Sequence, residues 1–314
     1  VLSRGASRVV RTWHCDSRRW EGYKPRAGDV VIGTAPKVGT TWMQRIVSLL
    51  IFRSPEARPF LELTPWIDWR IAPIESVLGV VEAQTHRRFL KTHLPLDALP
   101  LYDEVSYIHV ARDGRDAFMS YLNHCNSYRP EALAAYDAAG LADPTIGRAM
   151  PRPPATEREF FLYWLADGGA DRQTFMASDF FHIERSYWDE RGRANLLLVH
   201  FNDLKADLAG EMRRIAEFLS IEIAEDVWPS LVEAATFDSM KRDGASVLAG
   251  LERGFRDGYQ TFLHSGTNER WRGCLTDADL ALYRERIEAA LLPGLIRWLE
   301  GGRRAAGDPK SASD

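Results

Sequence analysis

No apolar run in this 314-residue chain comes near the roughly 18 residues needed to span a bilayer, so no membrane-spanning helix is expected. Basic charge is not in excess either. The 40 Lys and Arg against 44 Asp and Glu leave a formal net charge of −4, which gives no electrostatic reason for a nucleic-acid partner. Cysteine is scarce: Cys15, Cys125 and Cys274 are an odd number, far apart and without metal-ligand spacing. That pattern excludes a disulfide framework and makes a reducing, cytoplasmic setting the expectation. No signal-peptide pattern opens the sequence, no internal repeat is present, and the G-x-x-x-x-G-K-[ST] loop of ATP-binding enzymes is missing.

The composition itself, 45% hydrophobic and 27% charged, is that of an ordinary globular enzyme. Four short β-rich runs stand out, at 29–34, 88–91, 105–111 and 195–201. The last is apolar on both faces, as expected of a strand covered by helices on each side. Helical stripes lie between and after them. Leu208, Met212, Ile215 and Leu219 form one, and Thr276 with Asp279 resembles a capping box ahead of Leu280, Tyr283, Ile287 and Leu291. The alternation predicts an α/β fold: a single three-layer domain over 1–300 with a central parallel sheet flanked by helices. Four prolines in 143–157 argue against regular structure there, leaving either a loop beside the substrate or a surface excursion. Residues 301–314, small and polar, read as a disordered tail.

Three segments carry chemistry. In the first, the buried run Asp29–Gly33 leads into Thr34-Ala35-Pro36-Lys37-Val38-Gly39-Thr40-Thr41-Trp42, and then the inner helical stripe Met43, Ile46, Val47, Leu50 begins. A strand, a tight loop and a helix start form a P-loop-like anion-binding turn, in which free backbone N–H groups and the Lys37 charge point at an oxyanion. Here the lysine precedes the glycine, unlike in the ATP-type loop. The second segment is Lys91-Thr92-His93-Leu94-Pro95, a strand end stopped by proline. The third is a strand closed by Arg112, followed by Ser120 a turn or so into a helix. Functional groups collect at the carboxyl ends of parallel strands, so Lys37, Lys91, His93 and Arg112 should share one edge. His109 reads as a packed core residue, and Asp113, Arg115 and Asp116 as a solvated turn.

Taken together, Lys37–Trp42, Lys91–Pro95, the Arg112/Ser120 pair and Phe262–Trp271 resemble the signature set of the soluble sulfotransferases. These enzymes use 3′-phosphoadenosine 5′-phosphosulfate (PAPS) and release 3′-phosphoadenosine 5′-phosphate (PAP). The matches run from about residue 29 to 275, in order. The resemblance implies a nucleotide site made of Lys37, Val38, Gly39, Thr40 and Thr41 at the 5′-phosphosulfate. Trp42, Phe201, Thr236 and Phe237 would lie near adenine, and Arg112, Ser120 and the loop His264-Ser265-Gly266 at the 3′-phosphate. It also implies that His93 takes the acceptor proton, with Lys91 stabilising charge on the sulfuryl oxygens, and that no metal is required. The partner would be a small-molecule acceptor with an aromatic or apolar body, lined by Phe60, Trp66, Trp69, Tyr121 and His124. The oligomeric state is left open. The sequence departs from the family pattern in three places. Val38 stands where Ser is common, Phe201 where Tyr is common, and His264-Ser265 where basic residues are usual. The last change raises one alternative to an active sulfotransferase, a PAP-binding protein without turnover; a second, a small-molecule kinase using the first loop on ATP, is opposed by the missing GK[ST] and metal site. If His264 restores the missing charge, PAP affinity should fall as pH rises through its pKa.

Overall fold

The computed structural model describes residues 1–166, 180–263 and 266–312. All four sheet strands lie where the β-rich runs predict: β1 (Val30–Thr34), β2 (Phe89–Thr92), β3 (Ser106–Ala111) and β4 (Leu196–His200). They pair in the order β2-β1-β3-β4, every pair parallel. The register sets Thr34 beside Val110, Gly33 beside Thr92, and Ala111 beside His200. The carboxyl ends of all four strands therefore meet at one edge. The chain leaves β1 to one side for β2 and returns to its other side for β3, so the β1 end is the topological switch point where such sheets bind ligands.

The helices that frame this edge are α1 (Thr40–Phe52), α2 (Ile74–Ala83), α3 (Gly114–Asn126), α4 (Pro130–Leu141), α5 (Phe180–Asp189), α6 (Leu208–Phe218) and α7 (Asp277–Ala290). The predicted stripe of α1 is fully buried: Met43, Ile46, Val47 and Leu50 have no exposed surface. α1 packs on β1 and β2, while α5 covers the sheet through Tyr187 and Glu184. His109 is the core residue its pattern predicts, bonded through Nε2 to the Glu184 carboxylate at 2.9 Å and through Nδ1 to the Gly33 carbonyl at 2.8 Å. Tyr187 stacks on it at 4.1 Å. A Cβ at Gly33 would fall inside the Tyr187 hydroxyl, and that ring is locked in the core. Gly33→Ala should therefore cost about 1–3 kcal/mol and lower the melting midpoint by several degrees; an unchanged midpoint would contradict this packing.

Some predicted segments come out differently. The strand predicted over 195–201 stops at His200, and Phe201 opens a short helix, Phe201–Ala206. The His200 ring causes the stop, with Nδ1 accepting from Asn202 N–H at 3.1 Å and Nε2 donating to Leu299 O at 3.0 Å. The segment 301–312 is not disordered. Arg303–Ala306 is helical and Pro309–Ser311 forms a 3₁₀ turn, held by Arg303–Glu211 and by Arg191 donating to the carbonyls of Pro309 and Ala312. The capping box of Thr276 and Asp279 forms as predicted. No regular element joins Leu141 to Glu157, as the prolines predict, yet the stretch is pinned. Asp143 pairs with Arg11 at 2.8 Å and Arg70 at 2.6 Å, and Ile146 and Met150 are buried with Trp13. Among the described residues no helix is long and apolar enough to cross a membrane.

Candidate active site

The turn after β1 is built tightly. Lys37 has φ 69° and Gly39 φ 120°, left-handed geometry that reverses the chain within a few residues. A Cβ on Gly39 would also meet the Phe201 ring at 3.0 Å. Thr34 and Thr40 share a hydroxyl–hydroxyl bond of 2.6 Å across the turn. Val38 is wholly buried and its side chain belongs to the core, so only its backbone is available to a ligand. Beyond this turn opens a cavity of about 1090 Å³.

Lys37 and Lys91 both face the cavity, each over an aromatic ring: Lys37 Nζ lies 4.3 Å from the Phe262 centroid and Lys91 Nζ 4.4 Å from that of Trp66. Burial pulls both ammonium groups down to about 8, Lys37 further under the influence of Arg112. His93 is held by its Nδ1, 3.0 Å from the Thr34 carbonyl. A carbonyl only accepts, so Nδ1 carries the hydrogen and Nε2 keeps its lone pair. Burial first, then the neighbouring Lys91, lowers the ring to about 3, which keeps it neutral at pH 7. Trp66 meets His93 edge-on at 5.1 Å and stacks on Trp69 at 6.2 Å.

Arg112 immediately follows β3 and is committed on two sides. Its guanidinium donates to Lys37 O at 3.2 Å, Thr267 O at 3.0 Å and Asn268 Oδ1 at 2.8 Å, and it lies over Phe201 at 4.1 Å. Its buried Nε has no partner among the described residues. Ser120 on α3 also reaches the cavity, as do Thr41 and Trp42 on α1. Trp42 donates to Ala235 O at 2.7 Å and meets Phe201 edge-on at 5.3 Å. Thr236 caps the helix Phe237–Arg242, and Gly266, φ 61°, lies so close to Phe237 that a Cβ would meet the ring at 2.9 Å. Phe60, Trp66 and Trp69 line the same cavity. His264 and Ser265 lie outside the described residues.

Two predicted placements fail. Tyr121 is not among the cavity-lining residues; it is buried against Phe160 at 5.7 Å with its ring 6.3 Å from that of His124, because one residue beyond Ser120 is 100° round the helix. Asp113, Arg115 and Asp116 are not a solvated turn. Asp113 caps α3 through Arg115 N–H at 2.8 Å, and buried Asp116 accepts from Glu269 N–H at 2.6 Å, tying the C-terminal loop to α3. Three wall residues carry no sequence motif: His14, Tyr128 and, behind Trp66, Asp68. Asp68 is fully buried and accepts from the indole N–H groups of Trp66 at 2.6 Å and Trp20 at 3.0 Å. The one legible hint is an acid set in the aromatic stretch Trp66-Ile67-Asp68-Trp69.

The sulfotransferase domain model matches residues 27–294. The chain belongs to the sulfotransferase family. Relatives include a glycolipid sulfotransferase of Mycobacterium bovis, 33% identical over 94% of this chain and 95% of that one, and its counterpart in Mycobacterium tuberculosis with the same figures. Among solved structures, mouse sulfotransferase SULT7A1 complexed with PAP is similar in fold, with a TM-score of 0.66 at 19% identity over 89% of this chain and 90% of that one. Retinol dehydratase in complex with androsterone and PAP has a TM-score of 0.65 at 23% identity, over 88% and 84%.

This sulfotransferase is therefore an enzyme of sulfuryl transfer. Its cavity fits a doubly phosphorylated nucleotide. Arg112 is a buried cation and Lys37 a half-buried one, Arg112 Nε has no partner among the described residues, and close approach of backbone at Gly39 leaves room for an anion at the start of α1. Among the described residues no cluster of three or more His, Cys, Asp or Glu is placed to hold a metal ion.

Proposed function

We propose that this sulfotransferase moves the sulfuryl group of PAPS to a hydroxyl of a small amphiphilic acceptor, with His93 as general base. The observation that carries the reading is the neutral His93 ring. It is tethered at Nδ1 to Thr34 O, leaving Nε2 free in a cavity that also holds two lysines and Arg112. His93 Nε2 accepts the hydroxyl proton as the acceptor oxygen forms its bond to sulfur. The bond from sulfur to the 5′-phosphate oxygen breaks in line, and Lys37 neutralises the charge left on that oxygen. Lys91 faces the sulfuryl oxygens. Arg112, Ser120 and the Gly266 loop hold the 3′-phosphate, while Trp42, Thr236, Phe237 and Phe201 enclose the adenine. Thr40 and Thr41 with the Gly39 and Val38 backbone complete the 5′ cradle. Support for an amphiphile comes from the stacked Trp66 and Trp69 inside the cavity and from Leu61 and Val80 at its wall. The latter two are 59% and 42% exposed. Glycolipids, named for the mycobacterial relatives, have this character.

The nucleotide half is tested by calorimetry with PAP, ATP as control, and no added metal. Lys37 and Lys91 each lose their proton near pH 8 in the empty site, whereas the phosphates of PAP are already fully ionised there. Raising pH from 7 to 9 should therefore weaken PAP several-fold. A decline centred near 6.5 instead would point to His264, and a flat profile would remove both lysines from the nucleotide site. The acceptor half is tested by PAPS turnover with long-chain glycosides; sulfated product with none of them would sink it.

A further inference from the structure

One group of polar side chains in the cavity has no part in the chemistry above. Tyr128, in the turn between α3 and α4, places its hydroxyl 3.0 Å from His124 Nε2 and 3.3 Å from His14 Nε2. His14 and Tyr128 are almost fully buried, and all three residues line the cavity. Both histidines leave Nδ1 buried with no partner among the described residues. Buried polar atoms are ordinarily satisfied, and two unsatisfied atoms in one wall mark a place where a ligand completes the bonds.

The tautomers follow from counting protons. Tyr128 has one hydroxyl hydrogen, so at most one histidine can accept from it. The other must donate Nε2–H to the phenol oxygen, which leaves its Nδ1 as a bare lone pair. A ring that does accept from Tyr128 carries its hydrogen on Nδ1, a donor with no partner among the described residues. Burial lowers His14 to about 3 and His124 well below its usual range, with Lys37 adding to the effect on His124. Lys37, His14, His93 and Lys91 are the titratable groups that act on His124, and Arg112, Asp116, Glu131, Lys205, Arg253 and Arg270 line the same cavity. The pair is thus neutral at pH 7, suited to hydroxyl groups and not to an anion.

The location fits the acceptor. From His93 the wall runs through Trp66 and Trp69 to Tyr136, whose hydroxyl accepts from Trp69 Nε1 at 3.3 Å and whose ring lies 4.2 Å from His14. It returns from His124 past Phe262 to Lys37. We infer that His14, Tyr128 and His124 form a second polar subsite that binds a further hydroxyl of a polyhydroxylated acceptor, such as a sugar head group, while His93 meets the reacting hydroxyl. This rests on the acceptor reading above and narrows it, since a simple phenol or alkanol would leave both Nδ1 atoms bare.

Binding to the PAP-loaded protein separates the two readings. The probes are octyl β-D-glucopyranoside below its micelle concentration and octan-1-ol, titrated calorimetrically into wild type, Tyr128→Phe and His124→Phe, with melting curves and PAP affinity as controls. Wild type should prefer the glucoside. Each variant should weaken the glucoside roughly tenfold and leave octan-1-ol within twofold. Equal loss on both probes would assign the cluster to packing and overturn the subsite, as would no loss, or no preference in wild type. The expected pattern without sulfated glucoside from PAPS would uphold the subsite and overturn the transfer reading.

Discussion

His93→Ala should reduce turnover by about 10²–10⁴-fold, the range set by loss of a positioned general base, while PAP affinity stays within a few-fold. The split follows from where the ring is attached. Its bond goes to Thr34 O and its edge contact to Trp66, whereas Lys37, Gly39 and Arg112 hold their places through other partners. Turnover near the wild-type level would show that another group takes the proton. The pH profile gives a second handle. With its pKa drawn to about 3 by burial and by Lys91, the free enzyme's imidazole stays unprotonated well below its usual range. The acid limb of kcat/KM assigned to His93 should therefore lie below pH 5. A pKa of 3 would also make a feeble base. The anionic co-substrate offsets Lys37 and Lys91, two of the groups that depress it, so the ring should regain basicity in the loaded complex and the kcat limb should lie higher than the kcat/KM limb. Coincident limbs would mean that the lysines do not set the value.

Lys37→Ala should damage both steps: PAP affinity by roughly one to two orders of magnitude, from a charge-assisted bond worth about 1.5–3 kcal/mol, and turnover by about 10²–10³-fold. The backbone bond from Arg112 to Lys37 O survives the change, so the turn stays closed and the loss reports the ammonium alone. Calorimetry with PAP and single-turnover rates with PAPS separate the two effects. Unchanged PAP affinity would place the charge on the sulfuryl group only, and unchanged turnover would remove Lys37 from the reaction.

The strand, turn and helix of the proposed nucleotide half were legible because they are written locally. Strand, turn and helix are contiguous from Val30 to Phe52, and an unbroken buried run handing over to a 3.6 period marks the turn between them. Lys91, His93 and Arg112 were legible for a related reason, since parallel strands deliver their last residues to one edge whatever the helices do. The acceptor half was not. His14, Asp68 and Tyr128 come from segments without periodicity, and only tertiary packing brings them together. Tyr121 shows the reverse error. Adjacency to Ser120 in sequence says nothing about sharing its face on a helix. The turn at Asp113–Asp116 was misread for a similar reason: charge suggests solvent until a partner such as Glu269 N–H, more than 150 residues away, is known to cover it.

Asp68 links two properties that are usually thought of as separately adjustable. It fixes the Trp66 indole, and that one ring touches both Lys91 and His93 while forming part of the acceptor wall. A change in the 60–70 segment that reshapes the pocket for a new acceptor should thus also tilt the His93 ring, the proposed proton acceptor. Selection for altered substrate range along this wall should carry a penalty in rate. The wall at Val247–Phe255 carries a tie of its own, since Phe255 packs on His124 at 4.8 Å and on Phe262 at 5.4 Å, the ring that lies under Lys37 Nζ.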